Sequence, residues 1–156
     1  MPNEQQLSLH LSVPEFLATS HRDLLEEQLA TWFGTPALRQ SAERFARDVF
    51  EPVRALLGHA LHVTSGYRCG TLNGVVGGRP TSRHVLALAC DVVPIGLDLH
   101  AAMRIVAGAM RAGHLPAIDE AIIEKGWIHL QAAPLDARPR QLALITTDGI
   151  SYGRFA

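Results

Sequence analysis

Three side chains able to give one ligand atom each to a metal ion stand out by type and spacing: His84, Asp91 and His129. A catalytic zinc takes three protein ligands from histidine and carboxylate and leaves a fourth position open for water. His84 and Asp91 lie seven residues apart. If Val85 to Ala89 turn and Asp91 lies on the strand that follows, both face one point. The small residues Ala87 and Ala89 suit close packing beneath it. An aspartate opening the Asp91-Val92-Val93 run is otherwise unexpected, because a buried carboxylate needs a partner. Taken singly, each histidine is an ordinary packed or surface residue, and the His-x6-Asp spacing says little. His10, His21, His59, His62, His100 and His114 have no partners at metal spacing.

His129 enters through a hairpin. Ala121 to Glu124 and Trp127 to Gln131 read as two strands joined by Lys125-Gly126. With a two-residue loop, Glu124 pairs with Trp127 and Ile122 with His129, and directly paired residues share a face. Glu124, Trp127 and His129 then point the same way. Diagonal sheet neighbours are about 7–8 Å apart, within reach of a glutamate acting on water at a metal. A longer loop would change this phase.

These residues need elements to hold them. Ser12-Val13-Pro14-Glu15 reads as a helix start, with Ser12 as cap and Glu15 at the third position. Leu7, Leu9 and Leu11 alternate like a short strand. Ser20 to Leu29 is a further helix, and Trp32-Phe33-Gly34-Thr35-Pro36 a turn with aromatic anchors. Thr35-Pro36 caps a long helix to Leu57, with Leu38, Ala42, Phe45, Val49, Val53 and Leu56 as its apolar stripe. Pro52 should kink or divide it, and Gly58 ends it. His62 to Thr64 is strand-like and leads into Ser65-Gly66-Tyr67-Arg68. Leu72 to Val76 makes a helical turn, and Gly77 to Ser82 is loop. Part of Leu86 to Pro94 is a buried strand. Leu97 to Ala112 is an amphipathic helix with Leu99, Met103, Ile105, Val106 and Met110 inside. Leu142 to Thr146 is a last strand, Asp148-Gly149 a turn, and the final residues are loosely attached. Helices and strands mix without regular alternation, so the class is α+β. Residues 1–156 are expected to form a single domain, with 1–57 its mainly helical part.

Composition removes several functions. The 14 basic and 15 acidic residues give a net charge of -1, so no basic excess points to nucleic acid or to a membrane surface. No apolar run is long enough to span a bilayer. The first residues lack a basic stretch followed by an apolar one, so no signal peptide is read and synthesis in a cytosol is expected. The two cysteines, Cys69 and Cys90, make no disulfide framework. Both lie near the proposed site, which raises a thiolate role. Cys90 precedes Asp91 on the strand and should point into the core. Cys69, beside Arg68, is the more reactive candidate, though both read as structural.

Together these segments resemble the zinc D-Ala-D-Ala carboxypeptidase family, which includes vancomycin-resistance dipeptidases and phage endolysins that cut L-Ala-D-Glu bonds. The shared pattern is a strand running into Ser65-Gly66-Tyr67-Arg68, then a glycine-containing loop with Ser82-Arg83-His84, then Asp91, then Trp127-Ile128-His129. Leu72-Asn73, Val76-Gly77-Gly78 and Arg138-Pro139-Arg140-Gln141-Leu142 are similar to prophage-type members. The resemblance runs from about Phe45 to Leu144. It implies a small antiparallel sheet carrying one zinc, packed against helices as in the hedgehog and DD-peptidase fold. It implies His84, Asp91 and His129 as ligands. Arg68 would be catalytic and substrate-binding, since guanidinium offers a fixed fork of donors. Tyr67, Ser82 and Trp127 would be further substrate contacts.

Four positions depart from the pattern. Many members carry an acid three residues before the last histidine as general base, and here that position is Gly126. Glu124 is the nearest acid and takes the catalytic base assignment, with Asp119 and Glu120 as fallbacks. Ala87 stands where a glycine is usual, Arg83 where a neutral residue is common, and Cys69 where a small polar one is common. The implied activity is hydrolysis of the peptidoglycan stem peptide, as carboxypeptidase or L-Ala-D-Glu endopeptidase, by a monomer reaching the wall through release or phage-type delivery. A non-catalytic wall-binding or phage-structural module on the same fold is the rival reading, and a cytosolic D-Ala-D-Ala dipeptidase a weaker one.

Overall fold

A computed structural model of the chain describes residues 3–147 and 150–154. The buried apolar residues form one cluster running from Leu7 to Ala143, and everything that positions the site packs on it.

The N-terminal strands β1 (Gln6–Ser8) and β2 (Leu11–Ser12) pair with each other. Leu7 and Leu11 are therefore buried, while Leu9 sits at the hairpin tip, 83% exposed, rather than continuing one strand. Helix α1 (Val13–Leu17) starts with the expected capping box: Ser12 Oγ accepts from the Glu15 amide, and Glu15 Oε2 accepts from the Ser12 amide. A 3-10 turn (Arg22–Leu24) leads into α2 (Leu25–Gly34). Trp32 to Gly34 thus close a helix rather than form the expected turn. The helix stops there because Pro36 disfavours helical geometry at Thr35, whose φ and ψ are -132° and 80°.

The long helix is divided just before Pro52, as expected, by a widened turn. Helix α3 (Pro36–Phe45) passes through a π turn (Ala46–Phe50) into α4 (Glu51–Leu57). The Glu51 amide bonds the Ala46 carbonyl, five residues back. The extra residue in that turn shifts the apolar phase. Phe50 and Leu57 become buried, and Leu56, expected inside, is 40% exposed. Gly58 closes the helix in the left-handed conformation, φ 66°.

The main sheet has the order β3-β4-β6-β5-β7-β8. Its strands are β3 (Leu61–Ser65), β4 (Ala89–Pro94), β5 (Ile118–Ile123), β6 (Ile128–Ala132), β7 (Leu142–Thr147) and β8 (Ile150–Arg154). All neighbours are antiparallel except β5 and β7, which run parallel. The end of the chain, expected to be loosely attached, instead folds back along β7 as an edge strand, since β7 otherwise leaves its outer hydrogen-bonding groups unpaired. The expected Asp148-Gly149 turn lies outside the described residues. Between β3 and β4 come α5 (Gly70–Val75) and a 3-10 turn (Arg83–Leu86). Between β4 and β5 comes α6 (Leu99–Arg111), capped by Asp98, whose side chain accepts from the Ala101 amide. Ile105, placed inside by its spacing, is 41% exposed. Cys90, Val92, Ile128, Leu130, Ala121 and Ile123 belong to the core. Strand alternation therefore turns Asp91 and His129 to the other face.

Candidate metal centre

The centre is built on one rung of the sheet. Ser65 pairs with Asp91, Asp91 with His129, and His129 with Ile122. The expected hairpin phase holds: the Glu124 amide donates to the Trp127 carbonyl at 2.8 Å, and Gly126 takes the positive φ, 110°, that the tight loop requires. His84 arrives from outside the sheet on the 3-10 turn. Ser82 caps that turn by accepting the His84 amide, and Ala87 ends it in the left-handed region at φ 57°. The short loop from His84 to Asp91 needs that conformation, which favours glycine.

His84, Asp91 and His129 each offer one ligand atom, all within 4.8 Å of one another, and are the one such group among the described residues. Their hydrogen bonds fix which atoms converge. His84 Nδ1 donates to the Gly66 carbonyl at 2.6 Å, so Nε2 presents its lone pair. His129 Nε2 lies 2.8 Å from Gln131 Oε1. The Gln131 amide nitrogen donates to Asp119 Oδ2 at 2.7 Å, so Oε1 is an acceptor and His129 Nδ1 presents its lone pair. Both lone pairs meet Asp91 Oδ1, at 3.3 Å from His84 Nε2 and 2.9 Å from His129 Nδ1. Three acceptors aimed at one point repel unless a proton or a metal ion lies among them. The two-histidine, one-carboxylate set fits a divalent metal such as zinc, with outer partners holding each imidazole as metal sites require.

With protons in the place of a metal ion, the same three groups remain strongly coupled. Burial raises the Asp91 carboxyl, but hydrogen bonds from His129 and His84 outweigh it and hold the carboxyl well below the usual range. Burial disfavours a charge on both histidines. It prevails at His84, whose pKa is lowered, while at His129 the Asp91 hydrogen bond and charge overcome it and raise the pKa.

Arg68 is locked beside the ligands. Its Nε donates to Ser65 Oγ at 3.0 Å, Nη1 to Asn73 Oδ1 at 3.4 Å and Nη2 to Asp91 Oδ2 at 3.2 Å. With five N–H donors on a guanidinium, two remain for a ligand. The turn carrying it is clamped by Gln28, which is fully buried. Gln28 donates to the Tyr67 and Leu17 carbonyls and accepts the Cys69 amide at 2.7 Å. Gly66 is required where this turn crosses α1, because a Cβ there would overlap the Phe16 carbonyl oxygen.

Of the other residues singled out from sequence, Trp127 lines a cleft of about 330 Å³ together with Arg68, Ser65, Asp91, Thr64 and His21. Its Nε1 is buried without a hydrogen bond of good geometry. The indole lies near enough to oppose the rise of the Glu124 carboxyl. Ser82 lines a separate cleft beside His129. Tyr67 is not brought to either cleft. It is 2% exposed, its ring centre 5.6 Å from that of Trp32, and burial followed by the charge of Cys69 pushes its hydroxyl up to about 12. Tyr67, expected as a substrate contact, thus packs in the core beside Trp32.

Glu124 is half-buried, and burial followed by the Asp91 charge raises its carboxyl. Its own charge is felt at Arg68 and His129. Asp119 is occupied differently. It accepts from Gln131 and from the Arg140 side chain and amide, and these bonds overcome burial and hold its carboxyl at about 2. Glu120 lies 3.9 Å from the same Arg140. Asp119 is thus an outer support of His129. Both cysteines are buried, and burial pushes the Cys90 thiol well up, so that thiol is not poised for ligation.

Gln28 and Gln131 carry much of this positioning and were not singled out from sequence, while Asn73 was read as part of a motif without a role. A polar residue on the apolar side of α2, between Leu25 and Trp32, was the one available signal for Gln28.

A family model described as Peptidase M15 matches residues 24–131, more than half of the chain. No curated protein matches the chain. Among the described residues no helix is long and apolar enough to cross a membrane.

Proposed function

The chain belongs to the peptidase M15 family, and on that premise we propose that it is a zinc peptidase cutting the peptidoglycan stem peptide, as a carboxypeptidase or an L-Ala-D-Glu endopeptidase. The observation that carries the reading is the convergence of His84 Nε2, Asp91 Oδ1 and His129 Nδ1 on one point beside Glu124 and Arg68. When bound there, zinc supplies the Lewis acidity that polarises a scissile carbonyl and makes water a nucleophile near neutral pH.

The chain's own residues do the rest. Glu124 accepts the proton of the attacking water and delivers it to the departing amine. Its raised carboxyl suits both halves of that transfer. Arg68 directs its two remaining donors at the carbonyl oxygen as negative charge develops there. Asp91 and Ser65 hold the guanidinium so that no reorientation is needed. Trp127 walls the cleft on the Arg68 side and limits water there. A wall substrate reaches the site after release of the protein or its delivery by a phage-type route.

Incubating the protein with cell-wall sacculi, with and without chelator, tests the activity. New amino termini or released alanine that chelator abolishes is the expected result. Sacculus binding with no cleavage across several pH values would instead favour a non-catalytic wall-binding module.

A further inference from the structure

The cleft beside His129 is chemically unlike the one beside Arg68. It has a volume of about 460 Å³ and shares no lining residue with the first. Arg79, Arg83 and Arg140 line it, against a single acid, Glu120. Arg140 is engaged with Asp119 at 2.8 Å and lies near Glu120. Arg79 and Arg83 have no carboxylate partner among the described residues.

Both unpaired guanidiniums stand on fixed backbone. The Arg79 carbonyl accepts from Asn73 Nδ2 at 2.9 Å, and Asn73 is buried. Gly78, just before it, lies so close to Asn73 Oδ1 that a Cβ would overlap it. Arg83 opens the 3-10 turn that bears His84, and its carbonyl accepts the Leu88 amide at 3.0 Å. Two like charges without counterions, presented on pinned loops into a cleft containing a metal ligand, make a receptor for an anion. The net charge of the chain is -1, so this is a local arrangement and not a general basic surface.

We propose that Arg79 and Arg83 bind a free carboxylate of the substrate peptide next to the scissile bond, so that the enzyme selects acidic peptides. The inference rests on the peptidase reading and adds a specificity site to it. Two carboxylates of a stem peptide share this chemistry: the α-carboxylate of a γ-linked D-glutamate and the C-terminal carboxylate.

The test uses the zinc-loaded full chain carrying Glu124→Gln, and three probes. These are L-Ala-γ-D-Glu-L-Lys-D-Ala-D-Ala as the free acid, the same peptide with the glutamate carboxylate amidated, and the same peptide with the C-terminus amidated. Calorimetry at low ionic strength should show one amide binding about tenfold more weakly than the free acid, which identifies the carboxylate recognised. In Arg79→Gln/Arg83→Gln, and in Arg83→Gln alone should the double variant lose zinc, that difference should shrink. Equal affinity for all three peptides, or a difference that survives both variants, overturns the assignment and leaves the peptidase reading standing. Failure of any peptide to bind, with no turnover by the wild-type zinc-loaded chain, removes the peptidase reading and this inference with it.

Discussion

Arg68 donates from Nη2 to Asp91 Oδ2 at 3.2 Å, on the carboxylate oxygen not shared with the two histidines. On the proposed function, the substrate-facing guanidinium and the metal ligand are therefore one unit. Replacing Arg68 by alanine should lower kcat by on the order of 10²–10³, as loss of an oxyanion donor does. It should also weaken zinc affinity by about tenfold or more, through loss of an outer partner of Asp91. Arg68→Lys keeps the charge but not the fork, and should recover zinc affinity more than kcat. Steady-state kinetics at saturating zinc, beside a competitive chelator titration, separates the two effects.

The chain His129–Gln131–Asp119–Arg140 orients the proposed ligand His129 from the other side. Gln131→Ala frees the His129 ring to adopt the wrong tautomer. Zinc affinity is expected to fall roughly 10–100-fold, with most activity returning when zinc is raised. The clamp also has a pH signature. The Asp119 carboxyl is depressed from 3.8 to about 2, so its contribution to stability is complete above 3.8 and disappears as pH falls toward 2. With solvent screening at the half-exposed Arg140, this amounts to on the order of 1–2 kcal/mol. Denaturant midpoints for wild type and Asp119→Asn should differ near neutrality and converge in acid.

In the proposed mechanism Glu124 sets the acid limb of the rate profile. A general base works deprotonated, so kcat/KM rises as pH climbs through its pKa. Burial and the Asp91 charge raise that carboxyl in the metal-free chain, and a bound cation would oppose the Asp91 part. Glu124→Gln should lose about 10²–10⁴ in kcat and erase this limb. Protons also compete for His129, whose pKa is raised above 6.5, so zinc content must be followed over the same pH range. A profile unchanged in Glu124→Gln would remove the base assignment.

Gly66 and Gln28 hold the Arg68 turn. In Gly66→Ala the new methyl group meets the Phe16 carbonyl, a backbone atom that cannot swing aside. A loss of roughly 2–3 kcal/mol is expected, on the scale of overpacking, with a shift of the carbonyl that orients His84. Gln28→Leu leaves the Tyr67 carbonyl and Cys69 amide without partners. Each should cost about 1–3 kcal/mol. Thermal unfolding of the metal-free chains measures both.

Local chemistry was legible in the sequence where one residue pair decides the geometry. Lys125-Gly126 set the hairpin phase, Ser12 and Glu15 the first cap, and His84 with Asp91 came together across the short turn between them. Readings failed where a helix changed pitch or a partner came from elsewhere in the chain. The π turn before Pro52 moved burial from Leu56 to Leu57, which a constant period cannot show. The Gly34-Thr35-Pro36 signals suggested a turn too early, although α2 runs through Gly34. Tyr67 follows Gly66 in the motif, yet alternation at the turn sends it into the core beside Trp32. Gln131 and Asn73 are ordinary polar residues until the fold shows that one faces His129 and the other Arg68.

The central claim is a metal held by His84, Asp91 and His129. Elemental analysis of the protein purified without added zinc tests it most directly, with His84→Ala and His129→Ala prepared alongside. About one zinc per wild-type chain and little in either variant is the expected result, since each variant keeps only two ligands. A folded wild-type chain with no bound metal even after zinc is supplied, or equal zinc in wild type and both variants, would contradict it.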